Sequence, residues 1–167
     1  MSKFIILLSS QKQNLELANS IKDEILAQGS DAEIIDLVAL GLPLYSSKIQ
    51  NELGIPSEID TLFNQCINAG GFVIVAPEYN GGVPPVLTNA MAWLSVYGKE
   101  WRDAFNAKIA GLATFSGGPA FNLLAILRIQ MAHFGCTILG RALQVNNNKP
   151  LNRDSLVDFI HQLIKQS

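Results

Sequence analysis

Charge is scarce in this sequence: charged side chains make up 16% of its 167 residues, and the formal net charge is −2. Lys and Arg are scattered along the chain and build no basic field, which excludes a nucleic-acid partner. Cysteine is scarcer still. The two, Cys66 and Cys136, stand in a helical and a strand-like context with no C-x-x-C spacing and no clustered histidines, so a disulfide framework and a zinc site both lack support. They read as buried free thiols of a reducing compartment. Long apolar runs are also missing. The N-terminal "FIILL" passes at once into polar "SSQKQN", too short for a signal h-region and far too short to span a bilayer. A cytoplasmic protein with no membrane segment is expected.

What the chain does have is apolar content, 49% of its residues. That suits a sheet covered on both faces, with apolar surface left for a second copy; a homodimer or homotetramer is expected. The length fits one domain, residues 1–167. Strand-length apolar runs alternate with segments of helical period. The expected strands are Lys3 to Leu8, Ala32 to Leu37, Gly71 to Ala76, Lys108 to Phe115, and a broken fifth made of Cys136 to Leu139 with Leu143 to Val145. The expected helices are Asn14 to Ala27, Pro56 to Ala69, Pro85 to Tyr97, Ala120 to Phe134 and Asp154 to Gln166. Near-continuous apolar strands separated by helices predict an α/β three-layer sandwich, a five-stranded parallel sheet of order 2-1-3-4-5 with helices on both faces.

In such a sheet ligands bind beyond the carboxyl ends of the strands, at the switch point between strands 1 and 3. That selects three loops. "SSQKQN" leads into a helix N-terminus, where free N–H groups and the helix dipole favour an anion; Ser9, Ser10, Gln11 and Asn14 add donors and Lys12 a charge. Taken alone it is as well a polar turn with Asn14 or Ser10 as helix cap. "PEYNGG" ends its strand at Pro77 and turns at Asn80-Gly81, which frees the backbone of Glu78, Tyr79 and Asn80 to meet a ligand. Tyr79 offers a face for stacking, and Gly81-Gly82 allow close approach; the plain alternative is a turn with an exposed Tyr. Ser116-Gly117-Gly118-Pro119 repeats the pattern, and by itself is equally a strand-to-helix turn. Together the loops describe a phosphate pocket beside a slot for a planar ring. Flavin mononucleotide has that shape.

Two segments carry a resemblance. "APEYNGGVPPVLTNAMAWLS" is close to P-E-Y-N-x-x-x-P-x-x-L-x-N-A-x-x-W-L, and "KIAGLATFSGGPAFNLLAILRIQMAHFGCTIL" to a strand-S-G-G-helix-L-R-x-x-L-x-x-x-G pattern. In both the chain resembles the NADPH-dependent FMN reductase family, flavodoxin-like proteins that also include quinone, azo-dye and chromate reductases. The resemblance implies FMN as cofactor, NADPH or NADH as electron donor, and a small-molecule electron acceptor. It implies Ser9, Ser10, Lys12, Gln13 and Asn14 around the phosphate, Pro77, Glu78, Tyr79, Asn80 and Gly81 around ring and ribityl chain, and Ser116, Gly117 and Gly118 at the ring edge. No side chain is expected to act as a general base, since the chemistry belongs to the flavin. Asn89, Trp93 and Arg128 match positions read as structural or interfacial.

The first loop departs from the family form G-S-x-R-x-x-S-x-N: it is a few residues shorter, lacks the glycine and carries Lys12 where Arg is usual. Gly81 likewise replaces a common Ser. A family member that has lost FMN and serves as an interaction protein, and a flavodoxin-type electron carrier, are therefore the competing readings; the second would show a Thr/Ser-Gly-rich phosphate loop and stronger acidity. A receiver domain needs acidic residues where Ser9, Ser10 and Pro77 stand, and Asp36 lacks the G-x-G-x-x-G loop of a dinucleotide fold. His133 and His161 read as helix-dipole or surface residues. Tyr45, Tyr97 and Trp101 are placed in core or subunit contacts ahead of an open flavin face. The Trp93 helix and Leu123 to Met131 are the expected interface.

Overall fold

The computed structural model describes residues 2–167. Its elements run β1 (Lys3–Leu8), α1 (Gln13–Ala27), β2 (Asp31–Asp36), α2 (Ser47–Leu53), α3 (Ser57–Ile67), β3 (Gly71–Val75), α4 (Pro85–Ser95), a 3-10 turn (Trp101–Ala104), β4 (Ile109–Phe115), α5 (Phe121–His133), β5 (Thr137–Ile138), β6 (Leu143–Val145) and α6 (Arg153–Lys165). The order is β2-β1-β3-β4-β5, with β6 also on β4 and every ladder pairing parallel. The expected parallel sheet and its order hold. The broken fifth strand does too: β5 pairs with the start of β4 at Ile109 and Ala110, and β6 with its end at Ala113 to Phe115.

Alternation along β1 divides the core. Ile5 and Leu7 face the layer built by α3, α4 and α5, while Phe4, Ile6 and Leu8 face α1 and α6. β3 is buried along its whole length, as a central parallel strand must be. Two glycines in the central strands are there for contact. A Cβ on Gly111 would stand 2.5 Å from Phe159 Cζ, and one on Gly71 2.6 Å from Ile109 Cγ2. Both strands therefore sit closer to their neighbours than any side chain would permit.

The expected boundaries shift by one or two residues, and two elements are added. α2 follows the loop after β2 and is capped by Ser46, whose Oγ accepts from the Ile49 amide at 3.1 Å. It buries no residue, so it carries no apolar stripe to announce it. Trp93, read as structural or interfacial, is fully buried. Its indole N–H donates to Pro43 O at 2.8 Å, Tyr45 packs edge-on against it at 5.1 Å, and Asn89 holds the same loop through Tyr45 N and Pro43 O. Both residues pin the 42–45 segment to α4. Arg128 is structural in the same sense, donating to Leu139 O and Gly140 O across the gap between β5 and β6.

Candidate functional site

β1, β3 and β4 end side by side, and their following loops enclose a cleft of about 280 Å³. It is lined by Ser10 to Asn14 of the first loop, Pro77 to Tyr79 of the second, and Phe115 to Gly117 of the third. Nine of the expected site residues line it: Ser10, Lys12, Gln13, Asn14, Pro77, Glu78, Tyr79, Ser116 and Gly117. Ser9, Asn80, Gly81 and Gly118 do not. Gln11, expected as a first-loop donor, also lines it, and Phe115 joins because β4 ends there. A larger groove of about 590 Å³ lies between α5 and α6 around Arg128, Arg141 and Phe159, but takes in none of the three loops.

The first loop leaves its backbone donors free. Among the described residues the amides of Ser10 through Leu15 have no hydrogen-bond partner, whereas Ser9 N donates to Val75 O at 3.0 Å and Glu16 N to Lys12 O at 3.0 Å. Lys12 stands at the α1 N-cap with φ 55° and offers the helix no side-chain cap. Unpaired N–H groups at a helix N-terminus, with the dipole behind them, are donors that an anion can accept from. Lys12 reaches this geometry in a backbone region that a non-glycine residue enters at a cost.

The side chains expected to help are otherwise engaged. Ser9 is buried and its Oγ donates to Val75 O at 3.1 Å. Asn14 is buried too: its Nδ2 donates to Phe115 O at 3.0 Å and its Oδ1 accepts from Phe115 N at 2.9 Å. It replaces a ladder partner for the last residue of β4 and ties the first loop to the third. Gln11 Nε2 donates to Asp36 Oδ2 at 3.1 Å, which fixes the outer rim of the loop. Ser10 Oγ keeps a hydroxyl at the cleft, sharing a 3.3 Å hydrogen bond with the Tyr79 hydroxyl.

The second loop is a two-residue hairpin. Tyr79 and Gly82 exchange both backbone hydrogen bonds, at 3.1 and 2.9 Å, and Asn80 and Gly81 have φ of 51° and 74°. Two positive φ values make the mirror-type turn that Asn-Gly favours above other pairs. Behind it Glu78 N donates to Ser116 Oγ at 2.8 Å, and that hydroxyl lies 2.7 Å from Thr114 Oγ1. The Glu78 carboxylate accepts from the Leu123 amide at 3.1 Å. In the third loop a Cβ on Gly117 or Gly118 would meet nothing within 4 Å, so this side of the cleft is bare backbone facing open space. Tyr45, Tyr97 and Trp101 lie off the cleft: Tyr97 stacks on Phe63 and donates to Asp60, and Trp101 packs edge-on against Phe134.

An anion cradle, a polar hairpin and an unhindered glycine pair fit a phosphate-bearing planar cofactor. The sequence comparison agrees with that geometry. The family model for NADPH-dependent FMN reductase matches residues 3–149. The chain belongs to this family. The quinone reductase of Escherichia coli (strain K12) is 48% identical over 54 residues, 32% of this chain, and the match spans 29% of that reductase. A 2-hydroxy-1,4-benzoquinone reductase from Burkholderia sp is 45% identical over 56 residues, again 29% of that protein. Among solved structures, the flavoenzyme NAD(P)H:(acceptor) oxidoreductase of Paracoccus denitrificans superposes with a TM-score of 0.74 over 97% of this chain and 98% of its own, at 18% identity. That likeness, and one to an archaeal flavodoxin with a TM-score of 0.66, place the fold as flavodoxin-like.

Proposed function

We propose that this chain is an FMN-dependent NAD(P)H oxidoreductase that passes a hydride from NADPH or NADH through bound FMN to a small acceptor: a quinone, an azo compound, free flavin or a metal oxyanion. The observation that carries the reading is the run of amides from Ser10 to Asn14, unpaired among the described residues, in one cleft with Tyr79 and Gly117. An anion cradle at a switch point has little structural purpose without a phosphate.

FMN would supply the redox chemistry at this site. The protein's own part is binding and placement. The 10–15 amides and Lys12 hold the phosphate, Tyr79 and the hairpin bound the ribityl side, and the Gly117-Gly118 backbone leaves one ring edge accessible. The quinone reductase relatives support a quinone as acceptor over the others. The chain works as one unit in the cytoplasm, and as a homodimer or homotetramer. Phe121, Ile126 and Ile129, 68, 42 and 73% exposed on α5, support that assembly.

The test is an absorbance spectrum of the purified protein with and without added FMN, followed by NADPH under nitrogen. A bound-flavin spectrum that bleaches is the expected result. A protein that stays colourless in excess FMN overturns the reading, and leaves a fold serving as an interaction protein.

A further inference from the structure

Helix α5 begins without a cap of its own. Its N-cap residue is Ala120, in the left-handed region at φ 54°, and no side chain at that position accepts a hydrogen bond. Ser, Thr, Asp or Asn would ordinarily stand there to satisfy an amide of the first turn. The acceptor comes from another loop: Glu78, 45 residues earlier, reaches over from the strand-3 hairpin and takes the Leu123 amide at 3.1 Å. At the same residue the main chain is held from the third loop, by Ser116 Oγ at 2.8 Å. Glu78 is therefore fixed at both ends, and among the described residues its carboxylate joins the β3 loop to the first turn of α5 by a hydrogen bond.

The geometry points to Glu78 as a positioning residue: it caps α5 from the loop after β3 and so sets the separation of the hairpin from the Gly117-Gly118 turn, instead of touching the flavin. This rests on the reading of the cleft as an FMN site, and it departs from what the family resemblance implies for the Glu of P-E-Y-N. The reasoning is one of occupancy. A carboxylate oxygen engaged with a helix N-terminus is held there by the amide and by the dipole, and releasing it to meet a cofactor would uncap a helix that has no substitute. The part of Glu78 that matters is then its reach and its acceptor oxygen; its negative charge towards the flavin is incidental.

Three variants separate these roles. Glu78→Gln keeps length and acceptor but loses charge, Glu78→Asp keeps charge but is one methylene short, and Glu78→Ala loses both. Two readouts are taken: hydrogen exchange of the Leu123 amide in the flavin-free protein, and FMN dissociation constant with the midpoint potential of the bound flavin. Glu78→Gln is expected to match wild type in affinity and potential, and to exchange Leu123 faster by much less than the other two variants, since it keeps the acceptor and loses only the charge facing the helix dipole. Glu78→Asp and Glu78→Ala are expected to exchange Leu123 faster and to bind FMN more weakly, each by about tenfold. The proposal is overturned if Glu78→Asp behaves as wild type while Glu78→Gln loses affinity or shifts the potential, or if Leu123 exchange is the same in all four proteins. Should Glu78→Ala fail to fold, the Gln and Asp pair still decides. Wild-type protein that binds no FMN would sink the functional reading alone, because the exchange experiment on Leu123 is read without flavin.

Discussion

Lys12 and Asn14 sit two residues apart and do opposite things. Lys12 holds a positive φ that strains the chain at the mouth of the cleft. Lys12→Gly is accordingly expected to stabilise the protein by about 1 kcal/mol in urea unfolding, the relief of strain exceeding the entropy a glycine adds to the unfolded chain. The same change should weaken FMN binding, since Lys12 is the only cation lining that cleft. Asn14 serves the scaffold. Asn14→Ala removes both bonds to Phe115 and should cost about 2 kcal/mol in the flavin-free protein, whereas a residue that only held phosphate would leave that stability unmoved. Neither role could be read from the sequence. A polar loop before a helix announces an anion site, but the partner that claims Asn14 is 101 residues away, and Ser9 and Glu78 are committed to partners 66 and 45 residues away. Residue type says what a side chain can bond, and only the fold says what reaches it first.

At the scale of elements the opposite holds. Buried parallel strands leave continuous apolar runs, and helices that cover them leave a stripe, so β1, β3, β4, α1, α3 and α6 declare themselves. The Asn80-Gly81 turn does too, because its backbone geometry suits few other pairs. α2 stays silent, having no buried face. Trp93 stays open between structural and interfacial for a related reason: nothing near it in sequence shows that the 42–45 segment folds over it. The packing of α6 on the sheet can be tested directly. Gly111→Ala pushes a methyl into the Phe159 ring and should cost about 2 to 3 kcal/mol. Combining it with Phe159→Leu should cost clearly less than the sum of the two single changes in a double-variant cycle, whereas simple additivity would mean that the strand and the ring do not meet.

For the molecule as a whole, stability should depend on alkaline pH through its two thiols. Burial pushes both Cys66 and Cys136 up to about 12, while each ionises near its ordinary value once unfolded. The folded state thus binds more protons than the unfolded state between about pH 9 and 12, and stability falls as pH rises through that window. Burial lowers Lys108, an effect of opposite sign, so the comparison that isolates the thiols is wild type against Cys66→Ala/Cys136→Ala. The urea midpoint of the double variant should fall less steeply above pH 9. Assembly is tested at Ile129, which lies off the cleft: Ile129→Glu should shift the light-scattering mass towards the monomer, and an unchanged mass would remove α5 from the interface. The two margins of the sheet bear on a different kind of assembly. β2 carries Asp31, Glu33 and Asp36 along one margin, and the other is split into a pair and a triplet of residues by the Leu139–Ala142 interruption. A foreign strand finds carboxylates on one side and, on the other, no stretch long enough to zip against. The interruption that breaks the fifth strand thereby protects a sheet of low surface charge from the edge-to-edge stacking that begins fibres, even when the chain is made in quantity.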